Sequence, residues 1–420
     1  VNQPKTYEDC LEWIHGKLKF GIKPGLKRMT WMLEQLDNPQ HKIRAVHIVG
    51  TNGKGSTVAN LQRIFTGSSY RVGSFTSPFI IDFRERISID GEMISKEELI
   101  ALVEAVYSIV ERLPKETGHE PATEFEIITV MMFYYFAEIN PVDIVLVEAG
   151  LGGRLDSTNV FTPLLTLCPS IGLDHQAILG ETHEAIAREK AGAIKPGVPF
   201  IFATDKESVR AVFKEIAHHL KAPLYEAGQQ FSLSNGIYHD EVGYAIEDIS
   251  VGLPGAHQIS NASLAIKASL LLKETFPKVT ETTIRNGLAQ TKWVGRTELI
   301  APNLMIDGAH NDESVKALCD LLASRYENKL IHILFAAIEG KPVNSMLEQL
   351  GALGQVTVTT FDYPKALPVE AYPKEWPREA DYRNWLAHWE FSSSDDFYLI
   401  TGSLYFISEI RAILIPHDRY

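Results

Sequence analysis

Cysteine is scarce: Cys10, Cys168 and Cys319 are the three in 420 residues. They are far apart, no C-x-x-C occurs and the count is odd. A disulfide framework is therefore not expected, and buried reduced thiols are. No run of about 18 apolar residues exists, so no membrane-spanning helix is expected. The segment Val1–Cys10 has no apolar core of a signal peptide, which makes a cytoplasmic protein the expectation. Gly and Pro, at 29 and 21, are too few for a collagenous or low-complexity chain. Basic residues are outnumbered 53 to 40, a net charge of −13. The basic excess of a general nucleic-acid binder is missing. Local cations and backbone N–H groups can still hold anionic small molecules. The remaining composition is ordinary for a globular protein, and the length fits two or three domains.

Apolar residues at helical spacing occupy 11–18 and 29–36, with a Gly- and Pro-bearing loop over 19–25 between them. Ala45-Val46-His47-Ile48-Val49 reads as a buried strand, and 56–65 as a helix. Residues 86–94 alternate around Asp90-Gly91, a hairpin signature. Ser95 with Glu98 forms a capping box that opens a helix to about 113. A helix over 124–137 follows, then strands over 142–147, 164–167 and 198–203 with helices over 184–193 and 207–220. This alternation predicts an α/β fold with a mostly parallel sheet. Short antiparallel strands are expected in 226–255 and a helix over 260–273. A fresh alternating block begins near 295, with strands at 304–306, 330–336, 356–361 and 398–400 and helices near 312–324, 343–352 and 402–414. The domains expected are 1–295 and a smaller α/β domain, 296–420.

The strongest local signal is Gly50-Thr51-Asn52-Gly53-Lys54-Gly55-Ser56-Thr57, between a strand and a helix. Glycines allow a tight turn and close approach to an anion. Successive N–H groups and the helix N-terminus present positive potential to phosphates. Lys54 can reach terminal phosphates, and Ser56 or Thr57 offers a hydroxyl. The G-x-x-x-x-G-K-[ST] spacing is short by two, and Gly55 intervenes before Ser56.

Glu148 ends an apolar strand, where a carboxylate is placed to hold Mg²⁺. The glycine-dense Gly150-Leu151-Gly152-Gly153-Arg154-Leu155-Asp156-Ser157 follows and reads as room for a ligand. Asp174-His175-Gln176 follows the next strand. Lys190 reads from the residues alone as a solvated helix cation. In the second domain, Asp307-Gly308-Ala309-His310-Asn311 and Thr401-Gly402-Ser403 follow strands, and Arg296 precedes them. Asp307 there is either a helix N-cap or an acceptor for a ribose hydroxyl.

Taken in order, Gly50–Thr57, Thr76–Phe79, Thr123–Glu126, Glu148–Asn159, Asp174–Gln176, Lys190–Gly192, Asp307–Asn311 and Thr401–Tyr405 span nearly the whole chain. This set resembles the folylpolyglutamate synthase and dihydrofolate synthase family, a branch of the Mur-ligase-like amide-forming enzymes. Asp312 stands where the family often has Pro. Residues 338–342 replace an Asp-Lys-Asp-like stretch. The resemblance implies an N-terminal P-loop ATPase domain and a C-terminal Rossmann-like domain. It implies ATP held by Thr51, Asn52, Gly53, Lys54, Gly55, Ser56, Thr57, Asn261, Arg296 and Asp307. It implies two Mg²⁺ ions at Ser77, Glu148, His175 and a carbamylated Lys190. Thr123, Glu124, Phe125, Glu126, Leu155, Asp156 and Ser157 would lie around the pterin-bearing substrate. Ser403 and His310 would position the incoming amino acid. Lys54, Lys190 and His310 are the catalytic candidates.

The reaction this implies is ATP-dependent addition of L-glutamate to a folate through an acyl phosphate, releasing ADP and phosphate. Dihydropteroate stays open as an acceptor, and a monomer is expected. Two alternatives stand beside it: a Mur-type muropeptide ligase with the same chemistry, and a non-catalytic P-loop nucleotide-binding protein.

Overall fold

The computed structural model describes residues 3–18, 21, 23–390 and 395–415. Residues 19, 20 and 22 of the loop expected over 19–25 lie outside the described residues. The chain forms two compact units, Val1–Gly252 with Ile259–Thr291, and Leu253–Gln258 with Lys292–Tyr420. No helix among the described residues is long and apolar enough to cross a membrane.

The first unit holds an eight-stranded sheet. Its strands in chain order are β1 (Ala45–Ile48), β2 (Val72–Phe75), β3 (Ile87–Ile89), β4 (Glu92–Met93), β5 (Ile144–Glu148), β6 (Leu165–Cys168), β7 (Phe200–Phe202) and β8 (Leu224–Glu226). The spatial order is β4-β3-β2-β5-β1-β6-β7-β8. The pairs from β2 to β8 are parallel, and β3 and β4 form the expected antiparallel hairpin edge. Both faces are covered, as the near-continuous apolar strands require. Along β5, Val145 and Val147 join one core with the helices Tyr7–His15, Lys27–Glu34, Lys96–Thr117 and Glu124–Tyr134. Ile144 and Leu146 join the opposite core with the helices Lys54–Gly67, Ala256–Leu271 and Glu281–Gln290. Alternation of side chains along a strand produces this division. A third core lies under the helices His183–Ala191 and Glu207–His219. The strands β9 (Phe231–Ser234), β10 (Ile237–Asp240) and β11 (Ala245–Ile246) form a small antiparallel sheet where short strands are expected.

The second unit holds β12 (Glu298–Ala301), β13 (Leu304–Ile306), β14 (Ile331–Phe335), β15 (Gln355–Val358) and β16 (Phe397–Thr401). Their order is β12-β13-β16-β14-β15, parallel except for the edge strand β12. Met305 and Leu399 face the helices Asp312–Arg325 and Val343–Leu353, while Ile306, Tyr398 and Ile400 face the helix Leu404–Leu414.

Among the elements that the sequence pattern does not mark, two are hidden for steric reasons. Strand β2 carries Gly73, where a Cβ would sit 2.6 Å from Phe136 Cε1. The missing side chain makes room for that ring and removes the apolar run that marks a strand. The helix Glu281–Gln290 carries Gly287, whose Cβ would lie 2.8 Å from the Ile64 backbone. Backbone atoms cannot swing away as a side-chain tip can. Gly287→Ala is therefore expected to destabilise the fold by about 1–3 kcal/mol, despite Ala being the better helix former. Urea unfolding checks this; unchanged stability would contradict the close approach.

Candidate active site

The glycine turn follows β1, which has β5 on one side and β6 on the other. Gly50 and Gly53 adopt φ of 142° and 85°, open to glycine at little cost. Gly53 caps the helix Lys54–Gly67, and the first backbone bond back to it comes from Thr57 N at 2.9 Å. The amides of Lys54, Gly55 and Ser56 thus have no intrahelical acceptor and form the positive end of the helix. Thr57 Oγ1 donates to Gly53 O at 2.8 Å. Thr51 and Asn52 donate their amides to Ser170. A Cβ on Gly53 would meet Asn261 Oδ1 at 2.6 Å, which places Asn261 against the turn.

Lys54 Nζ donates to Gly50 O at 3.0 Å and to Thr51 O at 3.2 Å. Lys190 Nζ reaches the same Gly50 O at 2.9 Å. Lys190 is not the solvated cation that its sequence setting suggests; it is 4% exposed. Burial first, and then the neighbouring Lys54, push its ammonium down to about 7. The neutral amine, the form that can react with CO₂, therefore gains on the ammonium as pH rises through that value.

Glu148 is buried at the end of β5, level with Ile48 of β1. Its Oε2 accepts from Ser77 N at 3.3 Å. Buried Glu148 and the neighbouring Ser77 hydroxyl are hard oxygen donors that fit Mg²⁺. His175 sits at a left-handed φ of 53° as the cap of the short helix Gln176–Leu179. Its amide donates to Asp174 Oδ1 at 2.8 Å, and its Nε2 lies 3.9 Å from Asp174 Oδ2.

The glycines after Glu148 make room for protein neighbours. A Cβ on Gly150 would meet Phe125 Cζ at 2.5 Å, and one on Gly153 would meet Lys190 O at 2.5 Å. Gly192 packs on Arg154, whose guanidinium pairs with Glu189 at 2.8 Å. Asp156 is turned inward. Its Oδ2 accepts from Leu151 N at 2.7 Å, and its Oδ1 accepts from the Thr158 amide at 2.9 Å and from the Thr158 hydroxyl. Because that hydroxyl donates to the carboxylate, it accepts from His47 Nε2 at 2.8 Å. Burial holds His47 neutral by lowering it to about 3. Leu155 and Ser157, on either side of Asp156, are partly exposed.

Thr123 and Glu126 form a capping box at the start of the helix Glu124–Tyr134. Arg28 Nε holds Glu126 at 2.9 Å, while His15 Nδ1 and Arg86 Nη2 hold Glu124 at 2.9 and 3.4 Å. Phe125 packs on Phe75 at 5.9 Å. These basic partners lie 38 to 109 residues away along the chain, and no local pattern marks them.

In the second unit, Asp307 follows β13 and accepts from Thr297 N and Ala309 N, both at 2.8 Å. Asp307 and Arg296 lie within electrostatic reach of His257. The adjacent turns are joined: Gly402 N donates to Ala309 O at 3.1 Å, and Gly308 packs against Leu404. His310 Nδ1 lies 2.7 Å from Gly308 O. A carbonyl only accepts, so Nδ1 carries the proton and Nε2 is the basic nitrogen of the neutral ring. Ser403, buried, caps the helix Leu404–Leu414.

A glycine turn between a buried strand and a helix, with a lysine opening the helix, defines the class of P-loop nucleotide-binding α/β proteins. No family model matches the chain. It is 43% identical to a dihydrofolate synthase/folylpolyglutamate synthase of Bacillus subtilis over 432 residues, covering 97% of this chain and 98% of the relative. A Mycobacterium tuberculosis folylpolyglutamate synthase complexed with ADP superposes with a TM-score of 0.87 at 27% identity, covering 97% and 99% of the two chains. A folylpolyglutamate synthase complex with AMPPCP and folate superposes with a TM-score of 0.85 at 31% identity, covering 98% and 100%. The chain belongs to the folylpolyglutamate synthase and dihydrofolate synthase family.

Asp156→Asn places an NH₂ where only donors point. It is expected to cost about 1–3 kcal/mol. A fall in the urea midpoint checks this, and an unchanged midpoint would contradict the inward carboxylate.

Proposed function

We propose that this chain is an ATP-dependent ligase that forms a C–N bond between L-glutamate and the carboxylate of a folate. Dihydropteroate is a second acceptor open to the same chemistry. The enzyme works as a monomer in the cytoplasm, in folate metabolism. The observation that carries the reading is the convergence of Lys54 and buried Lys190 on the Gly50 carbonyl at a helix N-terminus. The relatives' names do not favour a muropeptide ligase or a non-catalytic nucleotide binder.

A carboxylate oxygen is a poor leaving group, so direct condensation with an amine is slow. Attack of the carboxylate on the ATP γ-phosphoryl forms an acyl phosphate and releases ADP. The glutamate amine then attacks the acyl carbon, and phosphate leaves. Charge builds on the transferring oxygens, so positioning and cation stabilisation carry most of the catalysis. The amides at Lys54–Ser56 bind phosphate oxygens, and Lys54 leaves Gly50 O to meet the transferring group. Asn261 holds the turn from the side, with Arg296 and Asp307 as further nucleotide contacts. Ser77, Glu148, His175 and a carbamylated Lys190 would hold the Mg²⁺ ions, which would supply neutralisation of phosphate charge. Thr123–Glu126 and Leu155–Ser157 border the pterin-bearing acceptor. Ser403 positions the amino acid, and His310 Nε2 accepts a proton from its amine.

Lys54→Ala is expected to abolish ATP-dependent glutamate addition while circular dichroism stays that of the parent. Near-normal turnover would refute the role. Lys190→Ala is expected to lose activity, and a small carboxylate in solution to restore part of it. Because the amine loses its proton above about 7, a Lys190-dependent carbamate signal should grow as pH rises through that value. Carbon-13 NMR with labelled bicarbonate reads it. Full activity of Lys190→Ala without additive would remove the carbamate.

A further inference from the structure

The turn after β6 grips the phosphate-binding turn through both of its polar faces. Thr51 N donates to Ser170 O at 2.9 Å. Asn52 N donates to Ser170 Oγ at 2.9 Å, and Ser170 Oγ donates back to Asn52 O at 3.0 Å. Thr51 Oγ1 is engaged in the same reciprocal way: it accepts from Gly172 N at 2.9 Å and donates to Gly172 O at 3.1 Å. Pro169 closes the remaining side, with its Cδ 3.1 Å from a Cβ on Gly50 and its Cβ 3.0 Å from one on Gly53.

This pairing decides which groups meet the nucleotide. A hydroxyl has one proton to donate, and those of Thr51 and Ser170 both go to backbone carbonyls. The amides of Thr51 and Asn52 are likewise engaged. The groups that the helix N-terminus directs toward an anion are the amides at Lys54–Ser56, with the Lys54 ammonium beside them. The Ser170 hydroxyl accepts from the Thr51–Asn52 peptide and donates to the Asn52–Gly53 peptide, so it ties two successive peptide units of the turn together. Nothing in the sequence marks it, since Ser170 lies four residues before the Asp174-His175 pair and outside the glycine motif.

We propose that Ser170 is a positioning residue that holds the Gly50–Gly53 turn in its nucleotide-binding conformation through the reciprocal pair with Asn52. The proposal rests on the reading of this turn as the ATP site. A turn held before the ligand arrives loses less freedom on binding, so its brace acts on nucleotide affinity more than on the chemical step. Thr51 then serves the site through Gly172 and its backbone, with its hydroxyl directed away from phosphate.

The test uses the full chain and titrates ADP by calorimetry, with KM for ATP and kcat measured alongside. Ser170→Ala should weaken ADP about tenfold, the loss expected for one or two neutral hydrogen bonds. KM for ATP should rise by a similar factor and kcat fall by less. Ser170→Thr keeps the hydroxyl and should recover most of the affinity. ADP affinity in Ser170→Ala equal to the parent's would overturn the proposal, as would a Ser170→Thr variant as weak as Ser170→Ala. If Ser170→Ala does not fold, Ser170→Cys takes its place, because a thiol donates weakly; parental affinity there also overturns it. Lys54→Ala separates the two levels. If that variant binds ADP as the parent does, the site reading fails. If Lys54→Ala loses ADP while Ser170→Ala keeps it, the brace alone fails.

Discussion

Two ammonium groups share one backbone oxygen, the Gly50 carbonyl, beside the positive end of the helix Lys54–Gly67. That crowding is relieved in two ways. One lysine can give up its proton, and burial already pushes Lys190 in that direction. Alternatively an anion can enter and draw Lys54 away. Phosphates satisfy the second route, and a carbamate on Lys190 would reverse its charge and complete the first. The site's appetite for anions thus comes from local geometry within a chain whose net charge is −13.

Both units use the same placement. Strands pair in parallel, and the residues that matter follow their carboxyl ends: Gly50 after β1, Glu148 at the end of β5, Asp307 after β13 and Ser403 after β16. Parallel neighbours bring such ends together without any pairing in sequence. Glycine serves this arrangement mostly by letting protein approach protein. Gly150 accommodates Phe125, Gly153 the Lys190 carbonyl and Gly308 Leu404. At Gly50 and Gly53 the need is conformational, and there the backbone is free to meet a ligand.

The alternating strands and helices were legible because apolar periodicity and caps are local. Thr123 with Glu126 and Ser95 with Glu98 cap helices as their spacing suggests. The phosphate turn was legible for the same reason: its chemistry is written in consecutive residues. What stayed hidden depends on distant parts of the chain. Lys190 looks solvated beside Arg188 and Glu189, and only the fold buries it against Gly50. Gly73 hides β2 because its purpose, space for Phe136, lies 63 residues away in the chain. Asp156 suggests a ligand contact, yet its carboxylate ties Leu151 and Thr158 together. The family resemblance supplied roles for Lys190 and Asn261 that spacing alone could not.

The central claim is that ATP cleavage at the Gly50–Thr57 turn activates a carboxylate for amide formation. Oxygen-18 placed in the acceptor's carboxylate follows that step directly. If an acyl phosphate forms, the oxygen that attacked the γ-phosphoryl departs with it, and each phosphate released during glutamate addition carries one labelled oxygen from a fully labelled carboxylate. Phosphate free of label, with the amide still formed, would contradict the account.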